Sequence, residues 1–190
     1  DAIKAPREKI VYTICIYTGT DVKKPDYLAT IDVDEHSPNY NKVIHRTELG
    51  SGGDELHHMG WNACSSCNTD GSMQRKYLVI PGVRTANFYI VDTASNPNAP
   101  VLYKTIRGDE IKKKTNLSTP HTVHCLGTDI IVSMLGDANG NAPGGYLHLN
   151  KEFQGWSILQ SQWVLFQIIV PTQQIDNLLS LDHNTNPTSP

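Results

Sequence analysis

Four of the eight histidines and three of the four cysteines of this chain fall in two short windows. The first is Glu55-Leu56-His57-His58-Met59-Gly60-Trp61-Asn62-Ala63-Cys64-Ser65-Ser66-Cys67, and the second is His121-Thr122-Val123-His124-Cys125. Imidazole nitrogens and thiolates are the side chains that best bind borderline and soft transition metals. Two separate clusters therefore suggest one site assembled in space rather than a local finger. His57 and His58 point to opposite faces of a regular strand, so both reach one ion only from a loop or a strand end. His121 and His124, three apart, share a face on a helical turn but not on a strand. A metal centre thus requires irregular backbone in at least one window. The alternative is that each imidazole satisfies a buried backbone group.

The Cys64-x-x-Cys67 pair admits three chemistries: a redox dithiol, half of a zinc site, or a thiol pair that takes up a soft atom. A zinc ribbon needs a second such pair, which the sequence does not contain, and a thioredoxin-like motif needs a βαβ setting that is also missing. A partial ligand set or a reactive thiol is left, against simple packing of small cysteines. Cys15 lies inside an apolar run and is expected in the core. Cys125, next to His124, is either a thiol beside the site or packing. Asp54 and Glu55 precede the histidine pair and are placed to orient an imidazole by accepting its second N–H, or else to be solvated loop carboxylates. The run Gly136-Asp137-Ala138-Asn139-Gly140-Asn141 reads as a hairpin turn, since the spacing and the lack of a terminal Glu do not suit a calcium loop.

The elements that must carry these residues are short. Ile10–Tyr17, Tyr27–Val33, Lys42–Arg46, Lys76–Ile80, Asn87–Asp92, Val101–Ile106, Thr122–Leu126, Asp129–Leu135 and Gly145–Leu149 are rich in Val, Ile, Tyr and Thr and bounded by Gly, Pro, Asn and Asp, which predicts strands. Helical periodicity is hardly present, and Lys112-Lys113-Lys114 reads as a solvated loop or edge. A repeat links the windows. Tyr27–Val33 and Phe88–Thr93 are each followed by a Pro-containing turn and another strand, then by a His cluster and a Cys. The offset from Asp32 to Asp92 is longer than the roughly 40–45 residues of a WD40 blade. Four strands per repeat without intervening helices predicts an all-β fold, a partial β-propeller; a β-sandwich is the alternative. On the propeller layout both His clusters enter innermost strands of neighbouring blades and converge near the axis.

Composition bounds the rest. A length of 190 residues fits one domain or part of a larger one, and 14 Gly with 11 Pro favour tight turns over long helices. A net charge of −3 and a pI near 6.2 exclude the basic surface expected of a nucleic-acid or anionic-membrane binder. The most apolar segment, Trp163 to Val170, is too short to span a bilayer. Two lone cysteines and one pair do not form a disulfide framework, which points to a reducing, cytoplasmic setting, with nuclear or membrane-peripheral locations as alternatives. No N-terminal signal pattern is present, and the missing initial Met suggests a fragment or a processed product.

Several stretches resemble the selenium-binding protein family, whose members include methanethiol oxidases. They are Pro6–Tyr12, Pro25–Asp34, Asp54–Cys67, His121–Leu126 and Leu135–Asn141, together covering about residues 1–153. The resemblance implies two to three blades of a larger seven-bladed β-propeller. In the oxidase members it implies oxidation of methanethiol by O2 and water to formaldehyde, hydrogen sulfide and hydrogen peroxide. It further implies a copper centre with His57 and His58 as ligands and His121 or His124 as a third, and Cys64 and Cys67 as the selenium or thiol site. A cysteine associated with selenium in vertebrate members is Asn41 here. Residues 154–190 leave the family pattern and are expected to form a divergent, irregular or disordered tail. The chain is therefore expected to be a truncated member with impaired activity, taking a small thiol and selenium species as partners, with its oligomeric state open. The alternative function is non-catalytic selenium or thiol binding in transport or redox signalling.

Overall fold

The computed structural model describes residues 6–64 and 74–154, together with the backbone of the strand at 156–159. Cys67, and the expected tail apart from residue 154 and that strand, lie outside the described residues. Three antiparallel sheets follow one another along the chain. The first contains β1 (Ile10–Cys15), β2 (Pro25–Asp32) and β3 (Val43–Gly52). The second contains β4 (Gly60–Trp61), β5 (Tyr77–Pro81), β6 (Phe88–Asp92) and β7 (Val101–Ile106). The third contains β8 (Leu117–Leu126), β9 (Asp129–Asp137), β10 (Gly145–Leu149) and β11 (Trp156–Leu159). Each strand pairs with its neighbours in sequence, so every sheet is a meander. The last strand continues the third sheet past residue 153 by pairing Tyr146 to Leu159 and Leu149 to Trp156.

All nine expected strands form, and β5 and β6 read as continuous apolar runs because these two strands of the second sheet are buried on both faces. Val79, Phe88 and Ile90 pack with Val123, Ile130, Val132 and Leu147 of the third sheet. The alternating residues Leu78, Ile80, Tyr89 and Val91 pack with Leu28 and Leu49 of the first. Period-two alternation thus sends successive side chains into two separate cores. The sheets are stacked face to face as consecutive propeller blades are, and the all-β, propeller-like layout is the one expected. The repeated Asp32 and Asp92 do the same job in each unit. Asp32 accepts the Asp34 amide and the Ser37 hydroxyl, and Asp92 accepts the Ala94 and Ser95 amides and the Ser95 hydroxyl. The connection after β9 is likewise a plain turn in which Asp137 accepts the amides of Asn139 and Asn141.

One element departs from expectation. Lys112-Lys113-Lys114 is neither a loop nor an edge but the last turn of a helix, α1 (Gly108–Thr115). Asp109 and Glu110 in the first turn and the three lysines in the last complement the helix dipole. Asn116 ends it in the left-handed conformation and returns its amide to the Lys112 carbonyl. The helix buries little beyond Ile111, so two turns with one apolar anchor leave no periodicity for a sequence to display. Among the described residues no helix is long and apolar enough to cross a membrane.

Candidate metal centre

The chain leaves β3 through Gly53 and Asp54, turns at Glu55 in the left-handed region (φ 62°), and makes a single bridge from Leu56 to Gly82. His57 donates its amide to the Pro81 carbonyl at 2.9 Å, and His58 and Met59 are irregular before β4 begins at Gly60. The two histidines therefore sit on the non-strand backbone that both rings need if they are to face one point. His121 comes from the third sheet, on β8, where the register slips between Pro120 and Val123. The two carriers meet along a seam between β4 and β8, fixed by a hydrogen bond from the Val123 amide to the His58 carbonyl at 3.2 Å.

Three imidazoles converge there. The rings of His57 and His58 stack with centroids 4.3 Å apart, and His121 lies 4.3 Å from His57 and 4.8 Å from His58. Their ligand nitrogens all fall within 4.8 Å of one another. The His58 amide donates to Nδ1 of His57 at 3.0 Å, and Nδ1 of His121 lies 2.8 Å from the Thr122 hydroxyl. These contacts hold the rings in orientation, with Nδ1 of His57 as the acceptor of the His58 amide. Burial holds His57 below the ordinary imidazole pKa, the nearby His58 lowers it further, and Glu55 pulls slightly the other way. Burial and then His57 and His58 do the same to His121. Both shifts favour the neutral imidazole, the form that binds a cation.

The donor set fits a first-row transition metal. It is all nitrogen, and imidazole suits copper, zinc, nickel and iron better than calcium or magnesium. Two nitrogens about 2 Å from one ion are at most about 4 Å apart, so the 4.8 Å spread asks the rings to close by less than an ångström.

The other expected site residues go elsewhere. His124 is exposed on β8, outside the cluster, with Nδ1 2.7 Å from the Cys125 carbonyl. It lies beyond the register slip that sets His121, where the regular pairing of His124 with Ile131 has resumed. Cys64 is half-buried beyond β4, Cys125 is buried, and Cys15 is half-buried rather than in the core because β1 is an edge strand. Neither carboxylate ahead of the histidines orients a ring. Glu55 pairs with Arg84 at 2.9 Å, and Asp54 is buried against Tyr89 and Thr85. Asp26, Tyr89 and Gly60 support the site and were not singled out by sequence. Their only signals were an acid at the head of an apolar strand, an aromatic inside one, and a glycine beside the His pair.

Gly60 is where the seam can be tested. A Cβ there would stand 2.5 Å from the Val123 carbonyl oxygen, a backbone atom that cannot swing away. Gly60→Ala is expected to part β4 from β8 and weaken metal binding by about tenfold or more, the scale seen when support of a metal ligand is lost. Competition with a chromophoric chelator measures this; affinity equal to the wild type would show that the seam does not set the cluster.

Beside His57 and His58 opens a hollow of about 450 Å³ whose other walls include Tyr12, Ile14, Ile16 and Met59. A second, of about 460 Å³, has no histidine in its lining. The first joins an apolar wall to the imidazole cluster and is the candidate substrate space.

Comparison with known proteins shows the family. The sequence pattern of the 56kDa selenium binding protein family matches residues 1–165. Selenium-binding protein 1 of Arabidopsis thaliana is 51% identical over 164 residues, covering 85% of this chain and 33% of that protein. A methanethiol oxidase of Danio rerio is 50% identical over 153 residues, 80% of this chain and 34% of that one. The X-ray structure of a hypothetical selenium-binding protein from Sulfolobus tokodaii superposes with a TM-score of 0.76 at 43% identity, over 80% of this chain and 34% of that one. The chain spans about a third of the length of these relatives.

Proposed function

The chain belongs to the 56 kDa selenium-binding protein family, and from that premise we propose that it carries part of a copper-dependent thiol oxidase centre, with methanethiol as substrate. The observation that carries this reading is the meeting of His57, His58 and His121 from two windows on neighbouring sheets. The relatives named methanethiol oxidase support the thiol. Copper stands above the other divalent first-row ions in affinity for nitrogen sites. When bound, it supplies the one-electron chemistry that couples a thiol to O2.

The chain's own residues do the rest. The imidazoles offer neutral nitrogens. Tyr12, Ile14 and Met59 give the methyl group of a small thiol an apolar wall. In balance, methanethiol, O2 and water give formaldehyde, hydrogen sulfide and hydrogen peroxide. Selenium uptake, for which the family is named, falls in this reading to Cys64 and Cys67. A cytoplasmic setting goes with reduced thiols. In the relatives' full length, further blades would close the propeller into a seven-bladed ring; the three sheets here leave edges that such closure would cover.

Titration of the purified chain with Cu(II), followed by electron paramagnetic resonance, is expected to show one equivalent with nitrogen hyperfine structure. His124→Ala is expected to leave stoichiometry and spectrum unchanged. No stoichiometric binding, or dependence on His124, would overturn the three-histidine reading.

A further inference from the structure

Asp26 sits on β2 with no exposed surface, and among the described residues it has backbone amides rather than a cation for partners. Its Oδ1 accepts the Tyr17 amide at 2.8 Å. Its Oδ2 accepts the amides of Glu55 at 2.9 Å and Leu56 at 3.2 Å. Two successive amides aimed at one carboxylate oxygen form a nest, a concavity built for an anion. Making it requires Glu55, a residue with a Cβ, to hold φ at 62°, a conformation such residues avoid unless their surroundings impose it. A buried carboxylate that accepts charge-assisted hydrogen bonds supplies the imposition. The very next residue is His57, docked on its other side to Pro81.

We propose that Asp26 is the positioning residue of the imidazole cluster, its carboxylate holding the Glu55–Leu56 turn that delivers His57 and His58 beside His121. The inference rests on the reading of that cluster as a copper centre. Asp26 touches no imidazole and acts through the backbone of the turn. If the turn relaxes to an ordinary φ, the direction of the following two residues changes and the two rings leave His121. Asp54, one residue before the turn, ties the same loop to the second sheet, so Asp26 supplies the matching tie to the first.

Asp26→Asn keeps the shape but gives up the charge and one acceptor oxygen, so either Tyr17 or the Glu55–Leu56 pair loses its partner. Two readouts on the full chain separate positioning from simple stability. One is the set of nuclear Overhauser contacts between the His57 and His121 rings. The other is Cu(II) affinity by chelator competition, with the resonance spectrum of the bound ion. In the folded variant the ring contacts are expected to weaken, the affinity to fall 10–100-fold as for outer partners of metal ligands, and the spectrum to shift. Adding Glu55→Gly, which frees the turn from its strained residue, is expected to restore the ring contacts in part. Wild-type ring contacts and spectrum in folded Asp26→Asn would overturn the proposal. A variant that does not fold moves the test to the wild type, where the Leu56 amide must exchange as slowly as that of His57; fast exchange overturns the proposal. If the wild type binds no copper while the variant still loses the ring contacts, the copper reading falls and the positioning role stands.

Discussion

Asp54→Ala is expected to destabilise the fold by about 3 kcal/mol, the cost of leaving buried donors without their acceptor and opening a gap. Asp54 is 1% exposed. Its Oδ2 accepts the Tyr89 hydroxyl at 2.5 Å, and its Oδ1 accepts the Thr85 hydroxyl at 2.7 Å and the Thr85 amide at 3.2 Å. Burial first, and the Asp54 carboxylate second, push the Tyr89 phenol up to about 12, so it remains a donor throughout the physiological range. The surroundings are shaped around this pair. A Cβ at Gly82 would collide with the Asp54 carboxylate and one at Gly50 with the Tyr89 hydroxyl. The alanine variant strands the phenol with Asn87 as its remaining partner and cuts the link from the end of β3 to the β5–β6 connection. For a chain of this size the loss corresponds to a drop in Tm of roughly 6–12 °C. Asp54→Asn, which keeps one acceptor oxygen, is expected to lose about half as much. Thermal melts by circular dichroism check both, and an alanine variant within about 0.5 kcal/mol of the wild type would remove Asp54 from the frame of the fold.

That carboxylate also marks the limit of what the sequence displayed. Strands were legible wherever burial imposes a period. Phe88–Asp92 announces itself because both faces are covered, and the Asp32 to Asp92 offset announces the repeat because both acids close the same kind of turn. The convergence of His57, His58 and His121 was legible for the same reason, since repeat-equivalent positions of stacked meanders must approach one another. What stayed hidden depends on three-dimensional contact without a period. Helix α1 offers Ile111 alone to the core. Asp26 and Asp54 look like surface acids until their amide and hydroxyl partners, distant in sequence, are in place. The separation of His124 from His121 depends on the register slip between Pro120 and Val123, which no period in the sequence displays, and the family resemblance left those two as equals.

Replacing both His57 and His58 with alanine is expected to abolish stoichiometric copper binding while leaving the apo chain as stable as the wild type. Loss of even an outer partner costs a metal site 10–100-fold. Removing two of three ligands therefore lowers affinity by roughly 100-fold or more and leaves His121 as a lone imidazole. The stability half of the prediction follows from the electrostatics of the empty cluster. Burial, and then the neighbouring imidazoles, hold His57 and His121 below the ordinary value of 6.5. The unfolded chain therefore binds more protons than the folded one as pH falls through that value, and stability drops on acidification. Above it both rings are neutral in both states and the shift contributes nothing. The double variant is accordingly expected to melt with the wild type at pH 8 and to lose less stability than the wild type between pH 6.5 and 5. Copper content by mass spectrometry of the purified proteins, with melts at the two pH extremes, reads both halves. Undiminished copper in a folded double variant would place the metal elsewhere. A collapse of the variant at pH 8 would show that the imidazoles serve the fold before they serve an ion.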